Sequence, residues 1–334
     1  LIPQHPRVVK AEPEVVERAR LVVRAVERVH EVVQHVRRKQ HVIDPYDLRY
    51  GHADVVVQRP HRHIPERREP LNALERADRR RQRRRDDRVA HASVLEQWGL
   101  PVNPDGLRRF SDICVEAFSG TACVVKPQVA FYERFGSAGF AVLEETLVAL
   151  REAGTLVVAD AKRGDIGSTM AGYAAAWLQP GSPLEADAVT LTPYLGVGSL
   201  DPAIKLAAEH GKGVFVMAAN SNPEAEAFQT SDIDGRMVSQ WMVDECAEYN
   251  LGAGIGHVGV VVGATVAKPP VLDRLNAPVL MPGIGAQGAT MQDAKAIAGE
   301  VSHLVFPSVS RSVLAAGPDV AELRKRASEL VKQV

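Results

Sequence analysis

Residues 91–334 predict an α/β fold, a (β/α)8 TIM barrel whose first strand is missing or replaced. Three observations lead there. Short apolar runs alternate with helix-like stretches at regular spacing, which is the pattern of repeated βα units. The runs are rich in valine and apolar on both faces, as parallel strands covered by helices must be. Polar residues end five or six of the runs, and in a barrel all strand ends converge on one mouth. An open doubly wound sheet is the competing architecture, and it does not explain that convergence.

The runs lie at 121–126 (TACVVK), 155–160 (TLVVAD), 186–192 (ADAVTLT), 213–218 (GVFVMA), 257–263 (HVGVVVG), 277–282 (APVLMP) and 303–307 (HLVFP). Helical stretches are expected at 138–153, 167–178, 201–210, 235–250, 290–299 and 318–333. Seven strands leave the barrel one short of eight.

The first 90 residues are a different kind of sequence. They hold 20 Arg and 2 Lys against 14 Asp and Glu, while the remainder has 18 basic and 27 acidic residues, so the near-neutral total hides a division. Only Gly51 of the 26 glycines lies in this stretch. Valines at helical spacing predict an amphipathic helix over 13–38, and QHVID (40–44) and ADVVVQ (53–58) are modest strand candidates. The run RADRRRQRRRDDR (76–88) reads as a solvated segment. A nucleic-acid arm is the sharper reading, but no aromatic residue interleaves the arginines. A third reading is a GC-rich gene read out of frame, which gives abundant arginine with little lysine. Two units are therefore expected: 1–90, arginine-rich, and 91–334, the barrel.

Composition sets further expectations. Cys114, Cys123 and Cys246 are too few and too scattered for a disulfide framework or a zinc site, so a reducing cytoplasm is expected. No apolar run reaches the ~18 residues of a membrane span. No His/Asp/Glu cluster has metal-ligand spacing, which fits chemistry without metal or other cofactor. His257 and His303 open apolar strands and read as structural; Trp98, Trp177 and Trp241 read as packing.

The chemistry-bearing segment is DAKRGDIGST (160–169), which closes an apolar strand and opens a helix. Asp160 and Lys162 are two apart at a strand end, so both can point into a barrel mouth. Nearby carboxylates favour the charged form of Lys162, making it an electrostatic element and a positioned proton donor. For one Asp-x-Lys alone, a surface salt bridge is the ordinary explanation. A second feature is Gly283-Ile284-Gly285-Ala286-Gln287-Gly288, after an apolar strand and before a helix, whose glycines let backbone N–H groups approach an anion. Arg311 follows the next strand and could add a charged grip. Loops after barrel strands seven and eight are a frequent phosphate site.

DAKRGDIGST resembles the signature of the orotidine 5′-phosphate decarboxylases, Asp-x-Lys-x-x-Asp-Ile followed by Thr. Further matching segments appear in the family's order: VVKPQVAFYERFG (124–136), LTPYLGVGSL (191–200), ANSNPEA (219–225), VGVVVGAT (258–265), MPGIGAQG (281–288) and FPSVSRSV (306–313). The likeness is to the longer bacterial branch, its actinobacterial members above all, from about His91 onward. It implies decarboxylation of orotidine 5′-monophosphate to UMP without a cofactor. It also implies a Lys-Asp-Lys-Asp array of Lys126, Asp160, Lys162 and Asp165. Lys162 would protonate C6 of the pyrimidine, and Asp160 would sit against the substrate carboxylate. Asp165, Ile166 and Thr169 would reach into the partner's site in a homodimer. Gln287 and Arg311, with Gly285 in the loop, would hold the phosphate, and Ser221 would read the pyrimidine.

The resemblance breaks at its start. Family members begin the barrel with a strand ending in a Gly-Ile-Asp-Pro-His-like motif, whose Asp contacts the ribose. Here Arg85–Ala90 occupy that place, with no apolar strand ahead. Val42-Ile43-Asp44-Pro45-Tyr46 is similar to the motif but lies far upstream, and Asp87 is the other candidate for the ribose contact. Two alternatives follow: a magnesium-using sugar-phosphate decarboxylase or synthase of the same superfamily, or an inactive barrel lacking its first strand.

Overall fold

A computed structural model describes residues 94–284 and 288–331. The helix expected over 13–38, the strands at 40–44 and 53–58, the charge run, Asp44 and Asp87 all lie outside the described residues, as do Gly285 and Gln287 in the glycine-rich loop.

All seven expected strands form: β1 (Val124–Val125), β2 (Leu156–Arg163), β3 (Ala188–Leu191), β4 (Gly213–Ala219), β7 (Val258–Val262), β8 (Val279–Pro282) and β9 (Val305–Ser308). They pair in parallel in the order β1-β2-β3-β4-β7-β8-β9. The numbering leaves room for a two-stranded antiparallel ribbon, β5 (Asp232–Ile233) with β6 (Arg236–Met237). This ribbon corrects one expectation, since the helix expected from 235 begins only at Val238. Asp234 and Gly235 both have positive φ, as a two-residue hairpin turn of the Asp-Gly kind requires, and that turn consumes the residues read as helix.

Several helices were not anticipated from the sequence. The two longest α-helices among them cover Pro104–Phe118 and Pro223–Gln229. The first has a signal that was there to be read. Asn103 caps it by accepting the Gly106 N–H at 2.9 Å, and Pro104 occupies the first helical position.

Side chains alternate between two layers along each strand. One set, including Val125, Val157, Ala159, Val189, Val214, Val216, Val258 and Val260, packs outward against the helices. The other set fills the interior: Val124, Val158, Ala188, Phe215, Val261 and Leu280, with Met217 and Phe306 against them. Every strand of the main sheet thus supplies the interior layer, which is how a barrel is filled. The sheet has not closed, because among the described residues β1 and β9 have no second neighbour.

The helical layer does meet across this seam. Helix Val320–Val331 packs on helix Pro104–Phe118. Trp98, buried, donates its indole N–H to the Leu314 carbonyl at 3.0 Å and lies 4.8 Å from the Phe110 ring. A side chain at Gly317 would run into that indole, with its Cβ only 2.1 Å from the ring. Among the described residues the architecture is a (β/α)8 barrel lacking one strand, open between β1 and β9 and bridged there by helices.

An open seam leaves backbone donors and acceptors unpaired on two edges. Joining an apolar strand that ends in Gly-Ile-Asp-Pro directly to His91, in place of residues 1–90, is expected to raise the melting temperature. Burying two or three more large side chains should add at least ~5 °C. Thermal unfolding followed by circular dichroism checks this, and an unchanged or lower midpoint would show that the seam is already satisfied.

Candidate active site

The site follows from the two-layer alternation. Val124, Val158 and Ala188 belong to the interior layer, so the residues two positions on, Lys126, Asp160 and Thr190, face the same way one level nearer the mouth. All three are buried, with Asp160 7% and Lys126 4% exposed. Above an apolar floor, therefore, the chain places a lysine, a carboxylate and a hydroxyl on three adjacent strands.

Asp160 is the centre of this cluster. Its Oδ2 accepts from Lys126 Nζ at 2.9 Å, and Oδ1 pairs with Lys162 Nζ. The Thr190 hydroxyl also lies 2.9 Å from Oδ1. Burial by itself would raise the Asp160 pKa, but the charges and hydrogen bonds of Lys126 and Lys162 outweigh it and hold the carboxyl well below its usual range. Asp160 is thus ionised throughout the physiological range.

The influences on Lys162 within one chain oppose one another. Burial lowers its pKa, Asp160 pulls it back up and Lys126 lowers it again, so that it ends below the ordinary lysine value of 10.5. Among the described residues, the carboxylate that pairs with it is that of Asp160. Asp165 stands at the rim instead, where its Oδ1 accepts the Ile166 backbone N–H at 2.8 Å. The structure therefore brings Lys126, Asp160 and Lys162 together and leaves Asp165 outside that cluster.

The backbone around Lys162 is distorted. Ala159 pairs with Val189 and Arg163 with Leu191, so three residues of β2 (Asp160, Ala161, Lys162) oppose the single residue Thr190. Lys162 itself has φ +49°, a left-handed conformation that costs a side-chain-bearing residue energy. Gly164 then passes so close to β3 that a Cβ there would lie 2.2 Å from the Thr192 carbonyl oxygen. The Gly of KRGD is required by that approach. Sequence reasoning missed two residues here, Thr190 and Gln128. Gln128 Nε2 donates to the Asp160 carbonyl at 3.3 Å, and its Oε1 lies 3.5 Å from Lys162 Nζ. A signal for Thr190 existed in the polar residue at the centre of an otherwise apolar strand, on the inward parity of Ala188.

The remaining site residues sit at other strand ends on the same mouth. Ser221 follows β4 and borders Gly263 after β7, where an added Cβ would lie 3.1 Å from the Ser221 Cβ. β8 and β9 run in register, with Pro282 opposite Ser308, so the glycine-rich loop and the segment leading to Arg311 leave the sheet side by side. Gly283 and Gly288, which flank that loop, both have positive φ. Arg311 opens the short helix Arg311–Leu314 and is half-buried, and this burial lowers its pKa. Ile166 is 62% exposed, and Thr169 is exposed beside it. Among the described residues no group of three His, Cys, Asp or Glu is placed to hold a metal ion, and no helix is long and apolar enough to cross a membrane.

Known proteins resemble this chain. Residues 100–326 match the orotidine 5′-phosphate decarboxylase / HUMPS family. The orotidine 5′-phosphate decarboxylase of Corynebacterium glutamicum (strain R) is 62% identical over 239 residues, covering 70% of this chain and 86% of the relative. That of Corynebacterium efficiens is also 62% identical, over 244 residues, covering 72% and 87%. Among solved structures, an orotidine 5′-phosphate decarboxylase from Streptomyces avermitilis superposes with a TM-score of 0.70 at 51% identity, covering 73% of this chain and 86% of that one. The barrel, the ordered strand-end motifs and these matches lead to one conclusion: the chain belongs to the orotidine 5′-phosphate decarboxylase / HUMPS family.

Proposed function

We propose that residues 91–334 decarboxylate orotidine 5′-monophosphate to UMP and CO2 without a cofactor. The observation that carries this reading is the Lys126–Asp160–Lys162 cluster at the barrel mouth of a chain from this family, with Lys126 and Asp160 buried and Lys162 reaching toward solvent. The C6–carboxylate bond breaks, its electron pair stays on C6, and Lys162 Nζ delivers the proton that C6 takes up. Asp160 lies against the departing carboxylate, and the two ammonium groups stabilise negative charge as it develops on the ring. A fixed charge array of this kind acts by electrostatic preorganisation. Ser221 reads the pyrimidine, and Arg311 grips the phosphate with Gln287 and the backbone around Gly285.

The working unit is a homodimer in which Asp165, Ile166 and Thr169 serve the partner's site. Support comes from the rim: Ile166, Tyr194 and Leu195 are large apolar side chains left exposed beside the mouth. Residues 1–90 lie outside the enzyme proper, a division supported by the start of the family match at residue 100. No nucleic acid or membrane partner is part of this reading, and the cytoplasm is the expected location.

Three outcomes test it. Lys162→Ala should fold and bind UMP, but a lost proton donor should cut the decarboxylation rate by at least ~10²-fold, followed as loss of orotidine-monophosphate absorbance. The parent should stay active in EDTA; a magnesium requirement would favour the sugar-phosphate relatives instead. Lys162 must be protonated to act, so activity should fall as pH rises. With the Lys162 pKa lowered, that alkaline limb should lie below the ordinary lysine value of 10.5. A limb at or above that value would contradict the assignment.

Arg311 has its own test. A charge-assisted phosphate contact is worth about 1.5–3 kcal/mol, so Arg311→Ala should weaken substrate binding by at least ~10-fold. The loss should nearly vanish with a nucleoside substrate that lacks the phosphate. Equal losses with both substrates would make Arg311 structural.

A further inference from the structure

The bulge in β2 poses a hydrogen-bonding problem that one side chain resolves. Three residues of β2 face Thr190 alone, so Lys162 has left the regular ladder with β3. Its backbone N–H donates instead to Thr190 Oγ1 at 2.9 Å. The same oxygen lies 2.9 Å from Asp160 Oδ1. A hydroxyl has one proton and two lone pairs. With the lysine N–H donated to it, the Thr190 proton is directed onto the carboxylate. One buried oxygen therefore holds both the backbone of Lys162 and the side chain of Asp160.

We propose that Thr190 is a positioning residue for the decarboxylation, a hydroxyl relay that fixes the Lys162 backbone in its left-handed bulge and aims the Asp160 carboxylate between the two lysines. This rests on the function proposed above and extends it to a residue outside the charge array. The position admits few alternatives. Thr190 is 1% exposed, so water does not replace its hydroxyl. Its neighbours Val189 and Leu191 face the helices and cannot reach the bulge. The φ of +49° at Lys162 is a conformation that persists only where surrounding structure holds it; the Thr190 bond holds its N–H at 2.9 Å, and the exposed Thr192 hydroxyl donates to its carbonyl at a longer 3.3 Å. Gln128 braces the other side through the Asp160 carbonyl, but it touches neither the Lys162 N–H nor the Asp160 carboxylate.

Two substitutions separate positioning from packing. Thr190→Val keeps the volume and removes the hydroxyl; Thr190→Ser keeps the hydroxyl and removes the methyl. Misplacing a reacting group by about 1 Å can cost ~10²-fold, so Thr190→Val should lower kcat by about 10- to 100-fold. KM should change little, because the phosphate grip lies on other strands. Thr190→Ser should stay within a few-fold of the parent. A Thr190→Val enzyme with near-parent kcat would overturn the proposal. So would Thr190→Ser losing as much as Thr190→Val, since the methyl would then be what matters.

A second readout needs no turnover. With 15N-labelled lysine, the Lys162 Nζ titration should shift in Thr190→Val, because the ammonium's distance to Asp160 changes, and stay in place in Thr190→Ser. An unmoved midpoint in Thr190→Val would again overturn the relay. A parent chain that shows the titration difference yet neither binds UMP nor turns over substrate would sink the functional reading and leave the relay standing.

Discussion

A carboxylate buried at the mouth of a barrel is costly unless opposite charge meets it, and at Asp160 two lysines do. Moving an ion out of water costs several kcal/mol even after relaxation, and removing one partner of a buried pair typically destabilises by about 3–5 kcal/mol. Asp160 is accordingly saturated, with Lys126 on one oxygen and Lys162 and Thr190 on the other. Two ammonium groups around one carboxylate leave a local excess of positive charge. That excess suits a site where negative charge must appear on a carbon atom, and burial magnifies it by excluding water. Much of the nearby structure serves this arrangement. The bulge of β2, the strained Lys162 backbone and the side-chain-free Gly164 all bring Lys162 back over Asp160 instead of letting the strand run on.

The barrel beneath explains why the cluster sits at one height. Inward residues stack in levels, and the level formed by Val124, Val158 and Ala188 is apolar. It closes the interior from below, beneath the charged level next above it. The outer level, packed on the helices, extends through every strand. The two levels depend on the sheet, while the seam depends on the helices, with Trp98 and helix Val320–Val331 spanning the gap that a strand would fill.

That seam has a consequence for the site. β1 carries Lys126, and β9 leads to Arg311, so the charge array and the proposed phosphate grip stand on opposite sides of the opening. A substrate that spans both needs their separation held constant. In a closed barrel the first strand would set that span through hydrogen bonds to both neighbours. Here the span rests on the long way round the sheet and on helix packing across the gap.

Residues 91–334 stated their architecture openly because burial on both faces leaves parallel strands little freedom in composition. The valine runs at 155–160, 213–218 and 257–263 could hardly be read otherwise, and all seven strands form. The strand-end motif DAKRGDIGST was equally legible, since Asp160 and Lys162 lie two apart and a strand sends such residues to one side. Local chemistry misled the reading where a turn overrode helical periodicity, as Asp234-Gly235 did ahead of Val238. What only the tertiary structure decided is the work of residues whose partners are far away in the chain. Thr190 is unremarked in its strand until the bulge of β2 places Asp160 and Lys162 across from it, and Gln128 gains a role only because β1 lies beside β2. Lys162 itself shows the division. Its sequence neighbours argue for a lysine held charged by carboxylates, whereas within one chain the fold pairs it with Asp160 beside Lys126 and leaves Asp165 at the rim. Sequence determines which groups are available, and packing determines which of them share a dielectric and a distance.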